Sequence, residues 1–310
     1  MDRRRRGRKI DGWLVIDKPA GLTSTDVVNR LKRAFQAQKV GHGGTLDPLA
    51  TGVLPVAFGQ ATKTVPYVMD GTKEYRFTLR FGEARDTDDA DGVVTATSEV
   101  RPTDAEIRAA LAGFLGDILQ VPPRFSAIKV AGERAYDLAR AGEAVELAPR
   151  PARVDAFTLE ARPDADTAVF RVVSGKGVYM RSLARDLAGT LGTVGHVAAL
   201  RRLRVGPFAE AMAVSLDSAV AMGQEDAASS PLLPVETALA DIPALALTGG
   251  EASRLSSGQA LSLVAFLGRV PPEADPDGGI VRVMAGGKAL AIGRLEGGML
   301  HPVRMLAATA

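Results

Sequence analysis

An acidic residue set in a glycine-rich loop is the feature of this chain best suited to chemistry. Residues 40–52 read VGHGGTLDPLATG, with Asp47 between Leu46 and Pro48. A proline steers the residue before it away from helix and toward extended backbone. That presents the carboxylate in a fixed direction. Ionised at neutral pH, it can act as a nucleophile or stabilise a developing positive charge. Asp before Pro also serves commonly as a plain turn former, and spacing alone leaves both readings open.

Other motifs are weaker. Ser126 and Lys129 fit the S-x-x-K pattern of penicillin-binding enzymes, but two of its four positions are free and the companion K-T-G and S-D-N elements are absent. The stretch from Asp86 to Gly92 starts like a calcium loop. In register with Gly92, however, the first ligand falls on Thr87 and the twelfth on Ser98, where a bidentate Glu is wanted. Gly189, Gly192 and Gly195 recur in threes without a dinucleotide fingerprint, Gly286-Gly287-Lys288 reads as a turn, and there is no P-loop motif. The chain has no cysteine, so thiolate catalysis and Cys-ligated metal centres are excluded. Its three histidines, His42, His196 and His301, share no ligand spacing. No metal and no cofactor is expected.

These side chains need elements to hold them. Residues 12–17 (GWLVID) read as a short buried strand ended by Lys18-Pro19-Ala20-Gly21. An amphipathic helix is expected over 25–36, with Val27, Val28, Leu31 and Phe35 on one face and Thr23 or Ser24 as its cap. Residues 40–52 read as a loop and 53–58 as a strand. In 74–81, Tyr75, Phe77, Leu79 and Phe81 alternate with polar residues, as in a half-buried strand. An acidic loop follows at 82–92, and Thr103 with Glu106 forms a capping box before a helix. Strands are expected at 154–160 and 168–173, and a helix from Met180 to Leu191 stopped by Gly192. Residues 223–243 look like a break. Beyond it, runs at 280–284 and 288–293 joined by Ala285-Gly286-Gly287 predict a hairpin in a small β-rich module.

The length of 310 residues suits a large domain plus a small one, and 46% apolar with 24% charged residues is ordinary for a globular chain. No apolar run is long enough to cross a bilayer, and the basic N-terminus lacks the apolar stretch of a secretory signal. A cytoplasmic location is expected. The net charge of +2 hides an asymmetry, because residues 1–10 hold six Lys/Arg and one acid. Such an arm either grips phosphates, which makes binding salt-sensitive, or is a solubilising tail.

The run Gly41-His42-Gly43-Gly44-Thr45-Leu46-Asp47-Pro48-Leu49-Ala50-Thr51-Gly52 resembles the catalytic loop of the TruB family of pseudouridine synthases. Five more blocks resemble family motifs in the same order: Gly12–Pro19, Lys73–Arg76, the acidic Arg85–Gly92, Gly175–Ser182 and Ala199–Leu203. The likeness runs from about residue 10 to 306. It is weakest at the C-terminus, which is similar to the family's PUA-like domain in length and hairpin pattern more than in residues.

The resemblance implies an α+β fold. A mixed, largely antiparallel pseudouridine-synthase core with flanking helices would be followed by a small β-rich PUA-like domain. The expected boundaries are a basic arm at 1–10, a catalytic domain at 11–238 and the PUA-like domain at 239–310. It implies isomerisation of a T-loop uridine of tRNA, at position 55, to pseudouridine without a cofactor. Asp47 would be the nucleophile, Arg181 its ion-pair partner, and Tyr75 the residue stacked on the flipped uracil near the C5 proton. His42 would fill the space left by flipped bases, and Tyr179 and Leu200 would line the uracil pocket. Tyr75, Tyr179 and Leu200 fit plain core positions equally well, His42 a mobile surface loop, and an arbitrary Arg most often makes a surface salt bridge. Lys18, Lys63, Lys129, the arm and the Arg201–Arg204 cluster are candidate RNA contacts. The expected partner is tRNA alone, with the protein acting as a monomer. The alternatives are a guide-RNA-dependent synthase and a tRNA-folding helper of the same fold.

Overall fold

In the computed structural model, residues 7–126, 147–225 and 232–306 are described, with the backbone alone at 129–130, 133–134 and 226. The N-terminal residues 1–6 and most of the segment after Ser126 lie outside the described residues, and with them the side chain of Lys129.

The strands of the N-terminal part are β1 (Gly12–Lys18), β2 (Val40–His42), β3 (Thr51–Phe58), β4 (Lys73–Phe81), β5 (Glu83–Arg85), β6 (Val94–Thr97), β7 (Gly116–Gln120), β8 (Lys129–Val130), β9 (Glu133–Arg134), β10 (Arg150–Ala161), β11 (Thr167–Ser174), β12 (Gly195–Val205), β13 (Phe208–Ala209) and β14 (Val214–Ser215). A ten-stranded sheet runs in the order β14-β1-β3-β12-β4-β11-β10-β7, with β2 added to β3 and β13 to β12. Most neighbours are antiparallel; β1–β14 and β3–β12 are parallel. Strand β1 reads as a continuous apolar run because both of its faces are covered. Leu14 and Ile16 join one core, with helices packed over the sheet, while Trp13 and Val15 join another with Phe208 and Val68.

The helices are α1 (Ser24–Ala34), α2 (Val65–Asp70), α3 (Asp104–Leu111), α4 (Met180–Thr190), α5 (Leu216–Asp226) and α6 (Gly249–Ser256). Thr23 caps α1 and Thr103 caps α3, each in a reciprocal box with the acid three residues on. Gly192, at φ +71°, follows the end of α4.

A second, β-rich unit holds β15 (Ala244–Leu247), β16 (Leu261–Ser262), β17 (Ile280–Ala285), β18 (Lys288–Glu296) and β19 (Met299–Met305) in the order β15-β17-β18-β19-β16. The hairpin expected at Gly286-Gly287 is present, both glycines lying at positive φ. The unit has its own core around Val281, Val283, Leu295 and Leu300. A small cluster of Leu239, Ile292 and Leu306, with Tyr67 packed on it, joins it to the N-terminal part.

Three expectations are corrected. Val40–His42 is a strand and not loop, because it finds an edge on β3. Part of the expected break at 223–243 is α5, whose weak pattern is completed by packing on α1. Glu83–Arg85, inside the expected acidic loop at 82–92, is strand β5, because it pairs with β6.

Candidate active site

The loop carrying Asp47 is held from several sides. Strands β2 and β3 pair up to His42 and Val56, leaving residues 43–50 to span the gap. The Ser24 hydroxyl, at the start of α1, accepts from the Leu46 N–H at 2.9 Å, and Leu46 is buried. The Ala50 N–H donates to the Asp47 carbonyl at 3.1 Å. The Lys18 ammonium donates to the carbonyls of Pro48 (3.1 Å), Leu22 (2.6 Å) and Pro19 (2.9 Å). On the other side, Arg202 donates to Val53 O (2.9 Å), Thr45 O (3.1 Å) and Gly44 O (3.0 Å). Gly52, at φ +97°, completes the turn into β3. A Cβ there would stand 2.2 Å from the Arg202 carbonyl oxygen, so the parallel β3–β12 pairing requires glycine.

Arg181 enters from the first turn of α4, and its side chain is 5% exposed. Its Nε lies 2.9 Å from Asp47 Oδ2, with the N–H not aligned on that oxygen, so the contact is a close ion pair more than a linear hydrogen bond. Its two terminal nitrogens donate to Thr87 O (3.1 Å) and Phe125 O (3.0 Å), and Asp89 Oδ2 stands 3.6 Å from Nη1. The acidic loop is thus a brace for two arginines, since Asp88 also accepts from Arg185 at 3.0 Å. The loop is tied to β12 where the Val197 N–H donates to the Asp88 carbonyl at 3.0 Å.

Tyr75 and Leu200 share one face of adjacent strands. Tyr75 is paired with Arg202 across β4 and β12, and Leu200 with Phe77 two residues away. Leu200 is buried and Tyr75 half-buried against the same core. Tyr179 precedes α4. Its backbone N–H and carbonyl are both satisfied by the Gln120 side chain, at 2.8 and 3.1 Å. His42 is half-buried, and its Nδ1 accepts from the Gly44 N–H at 3.3 Å, which places the ring proton on Nε2.

The electrostatics centre on Asp47. Burial pushes its carboxyl above the usual range; Arg181 pulls it back most strongly, Asp89 pushes it up, and Lys18 pulls it down. The side chain keeps 33% exposure, so protein surrounds the carboxylate but one side stays open to a substrate. Burial, then the Asp47 charge, raises the Tyr179 phenol. Burial, then Arg202, lowers His42 and keeps it neutral. Burial pulls Lys18 down to about 8 against the opposing charge of Asp47. Among the described residues no group of His, Asp or Glu could hold a metal ion, and no helix is long and apolar enough to cross a membrane.

The structure brings Asp47, Arg181, Tyr75, Tyr179, Leu200 and His42 to one region, and redirects most of the candidate RNA contacts. Lys18 is fully buried with its ammonium on three carbonyls, so it braces the Asp47 loop and is not on an RNA-facing surface. Lys63 donates to Met305 O at 3.0 Å, linking the two units. Arg201 is paired with Asp17 (3.0 Å) and Glu210 (2.5 Å), and Arg202 is 1% exposed. A basic cluster in sequence is therefore split by strand alternation, with Arg202 turned inward. Sequence reasoning also missed Asp89 and Gln120 as side chains that hold this site. The motif placed Asp89 in an acidic loop but gave no hint of which arginine it faces.

Two family models cover much of the chain. That of the TruB family pseudouridylate synthase N-terminal domain matches residues 32–180, and that of the tRNA pseudouridylate synthase B C-terminal domain matches residues 181–240. The chain is 70% identical over 306 residues to tRNA pseudouridine synthase B of Gluconacetobacter diazotrophicus, covering 98% of this chain and 100% of that protein. It is 57% identical over 306 residues to tRNA pseudouridine synthase B of Rhodospirillum rubrum, covering 99% of each. Among solved structures, a chain of a Cbf5-Nop10-Gar1 complex superposes with a TM-score of 0.74 at 24% identity, over 96% of this chain and 85% of that one. A chain of an H/ACA RNP bound to a substrate RNA containing 2′-deoxyuridine gives 0.73 at 23% identity, over 99% and 92%. At that identity the likeness speaks for the fold, a large mixed sheet followed by a β-rich unit. With those sequence matches spanning nearly its whole length, the chain belongs to the TruB family of pseudouridylate synthases.

Proposed function

We propose that this enzyme converts the T-loop uridine at position 55 of tRNA to pseudouridine, with Asp47 as the nucleophile on a flipped-out base. The N1–C1′ bond breaks, uracil turns over, and C5 joins C1′. The reaction has no redox change and takes no group from outside, so it requires no cofactor. A carboxylate suits an oxocarbenium-like C1′, as in retaining glycosidases. The observation that carries the reading is the Asp47–Arg181 pair, a carboxylate held 2.9 Å from a buried arginine yet open on one side. Such a pair favours the charged form of Asp47 and works against the effect of its burial.

The remaining residues surround the base. Tyr75 stacks on the uracil, Tyr179 and Leu200 wall its pocket, and His42 fills the gap left when the base is extruded, at a cost of about a few kcal/mol. The unit from residue 239 onward acts as a PUA-like RNA-binding domain beside a catalytic domain at 11–238, and the N-terminal arm adds phosphate contacts. The protein works as a monomer in the cytoplasm without a protein partner.

The test is tritium release from tRNA transcript labelled at uracil C5, with no added metal, cofactor or partner. Release near one equivalent per tRNA by the wild type, and none by Asp47→Ala, is the expected result. Tight tRNA binding without release would overturn the stand-alone reading in favour of a partner-dependent synthase or a folding helper.

A further inference from the structure

Arg202 is a buried cation without a carboxylate. Its exposure is 1%, and no acidic oxygen among the described residues lies within ion-pair distance of it. Three of its N–H groups are spent on the carbonyls of Gly44, Thr45 and Val53, on both flanks of Asp47. The group that faces it across the sheet is Tyr75, its direct partner in the β4–β12 register. Holding an unneutralised cation in the interior is costly, and a protein that does so places positive charge where negative charge develops. Burial works against the Arg202 charge, and the groups that most sustain it are the Tyr75 phenol and then Asp47.

We propose that Arg202 is a positioning residue for the proton-transfer half of the reaction, fixing the Tyr75 phenol oxygen and stabilising the phenolate that takes the C5 proton. The inference rests on the synthase reading above. An Asp47 carboxylate oxygen bonds to C1′ as N1–C1′ breaks; the electron pair of the broken bond stays on uracil N1, and the Tyr75 phenol gives its proton to that nitrogen. The uracil C5=C6 pair then forms the C5–C1′ bond as Asp47 leaves as carboxylate. The C5–H bond breaks, its electron pair restores C5=C6, and its proton goes to the phenolate. One proton leaves C5, one arrives at N1, and Tyr75 is regenerated. Arg202 touches neither base nor sugar. It acts through Tyr75 and through the loop carbonyls that hold Asp47.

The test compares single-turnover pseudouridine formation on tRNA carrying protium or deuterium at uracil C5, in wild type, Arg202→Met and Arg202→Lys. In Arg202→Met the rate should fall about a hundredfold with KM within about threefold. A primary isotope effect larger than in wild type should appear, because C5 deprotonation has become slow. Arg202→Lys should recover part of the rate and reduce the isotope effect, and 3,5-difluorotyrosine in place of Tyr75 should partly rescue Arg202→Met. A slow Arg202→Met with an unchanged isotope effect, beside an active wild type, overturns the proposal alone. A wild type that forms no pseudouridine overturns the synthase reading beneath it. Should Arg202→Met fail to fold, difluorotyrosine in the otherwise unchanged chain decides. A base-side limb moved to lower pH supports a phenol that must begin protonated and pass through the phenolate, and an unmoved limb overturns it.

Discussion

At the scale of residues, the site depends on a carboxylate kept charged where charge is expensive. Burial raises Asp47 and Arg181 counters it. If Asp47 must be ionised to react, activity is lost as the pH falls through its raised value. Removing Arg181 deletes the strongest counterweight and moves that limb further up. We therefore expect Arg181→Met to shift the acid limb of the kcat profile toward neutral pH and to lower kcat about a hundredfold or more at pH 7. Arg181→Lys keeps the charge and should move the limb less. Rate–pH profiles of the three proteins check this, and an unmoved limb would separate Arg181 from the ionisation of Asp47. Asp47→Ala should abolish turnover yet leave tRNA affinity within about tenfold, since most affinity comes from phosphate contacts. Filter binding beside the tritium assay tests that division. A large loss of binding in a folded variant would refute it.

At the scale of elements, the Asp47 loop is a clasp between β2 and β3 closed by glycine and by inward cations. Gly52 is its tightest point, with positive φ and a carbonyl where a Cβ would go. Gly52→Ala should destabilise the fold by about 3 kcal/mol or more, from backbone strain plus the forced separation of β3 and β12. Denaturant unfolding measures it, and a cost below the ordinary range of a surface substitution would mean the strands part freely. Thr103→Ala removes a distant cap on α3 and should cost only about 1 kcal/mol with activity intact. Periodicity reported α1, β4 and α4 well because each has one buried face. It could not report β12, where Arg201 and Arg202 side by side look like a surface cluster. Only the sheet on either side shows that the second of the pair is turned into the interior.

At the scale of the whole molecule, charge is distributed unevenly. The arm's six cations precede a body whose remaining residues hold 32 basic and 35 acidic side chains. Deleting residues 2–6 should weaken tRNA binding and flatten the plot of log affinity against log salt by up to about three units. Binding titrations at several salt concentrations check this. An unchanged slope would make the arm a solubilising tail. The two units are joined by an apolar cluster and by the Lys63 to Met305 bond, so one of the lysines counted as an RNA contact is an internal tie.

What the sequence determined by itself was the set of local signals. It specified which loop carries the carboxylate, where the helices are capped, which strand presents Tyr75, and which family the ordered motifs belong to, because each is written in consecutive residues or in a short period. What only the tertiary structure decided was which charges meet. Arg181 stands more than a hundred residues from Asp47 yet lies 2.9 Å away, braced by Asp89 from a third element. Lys18 and Arg202 point into the protein and not toward RNA. Long-range pairing and burial set those outcomes. They depend on strand order and on which face of each strand is covered, and neither is encoded in local spacing.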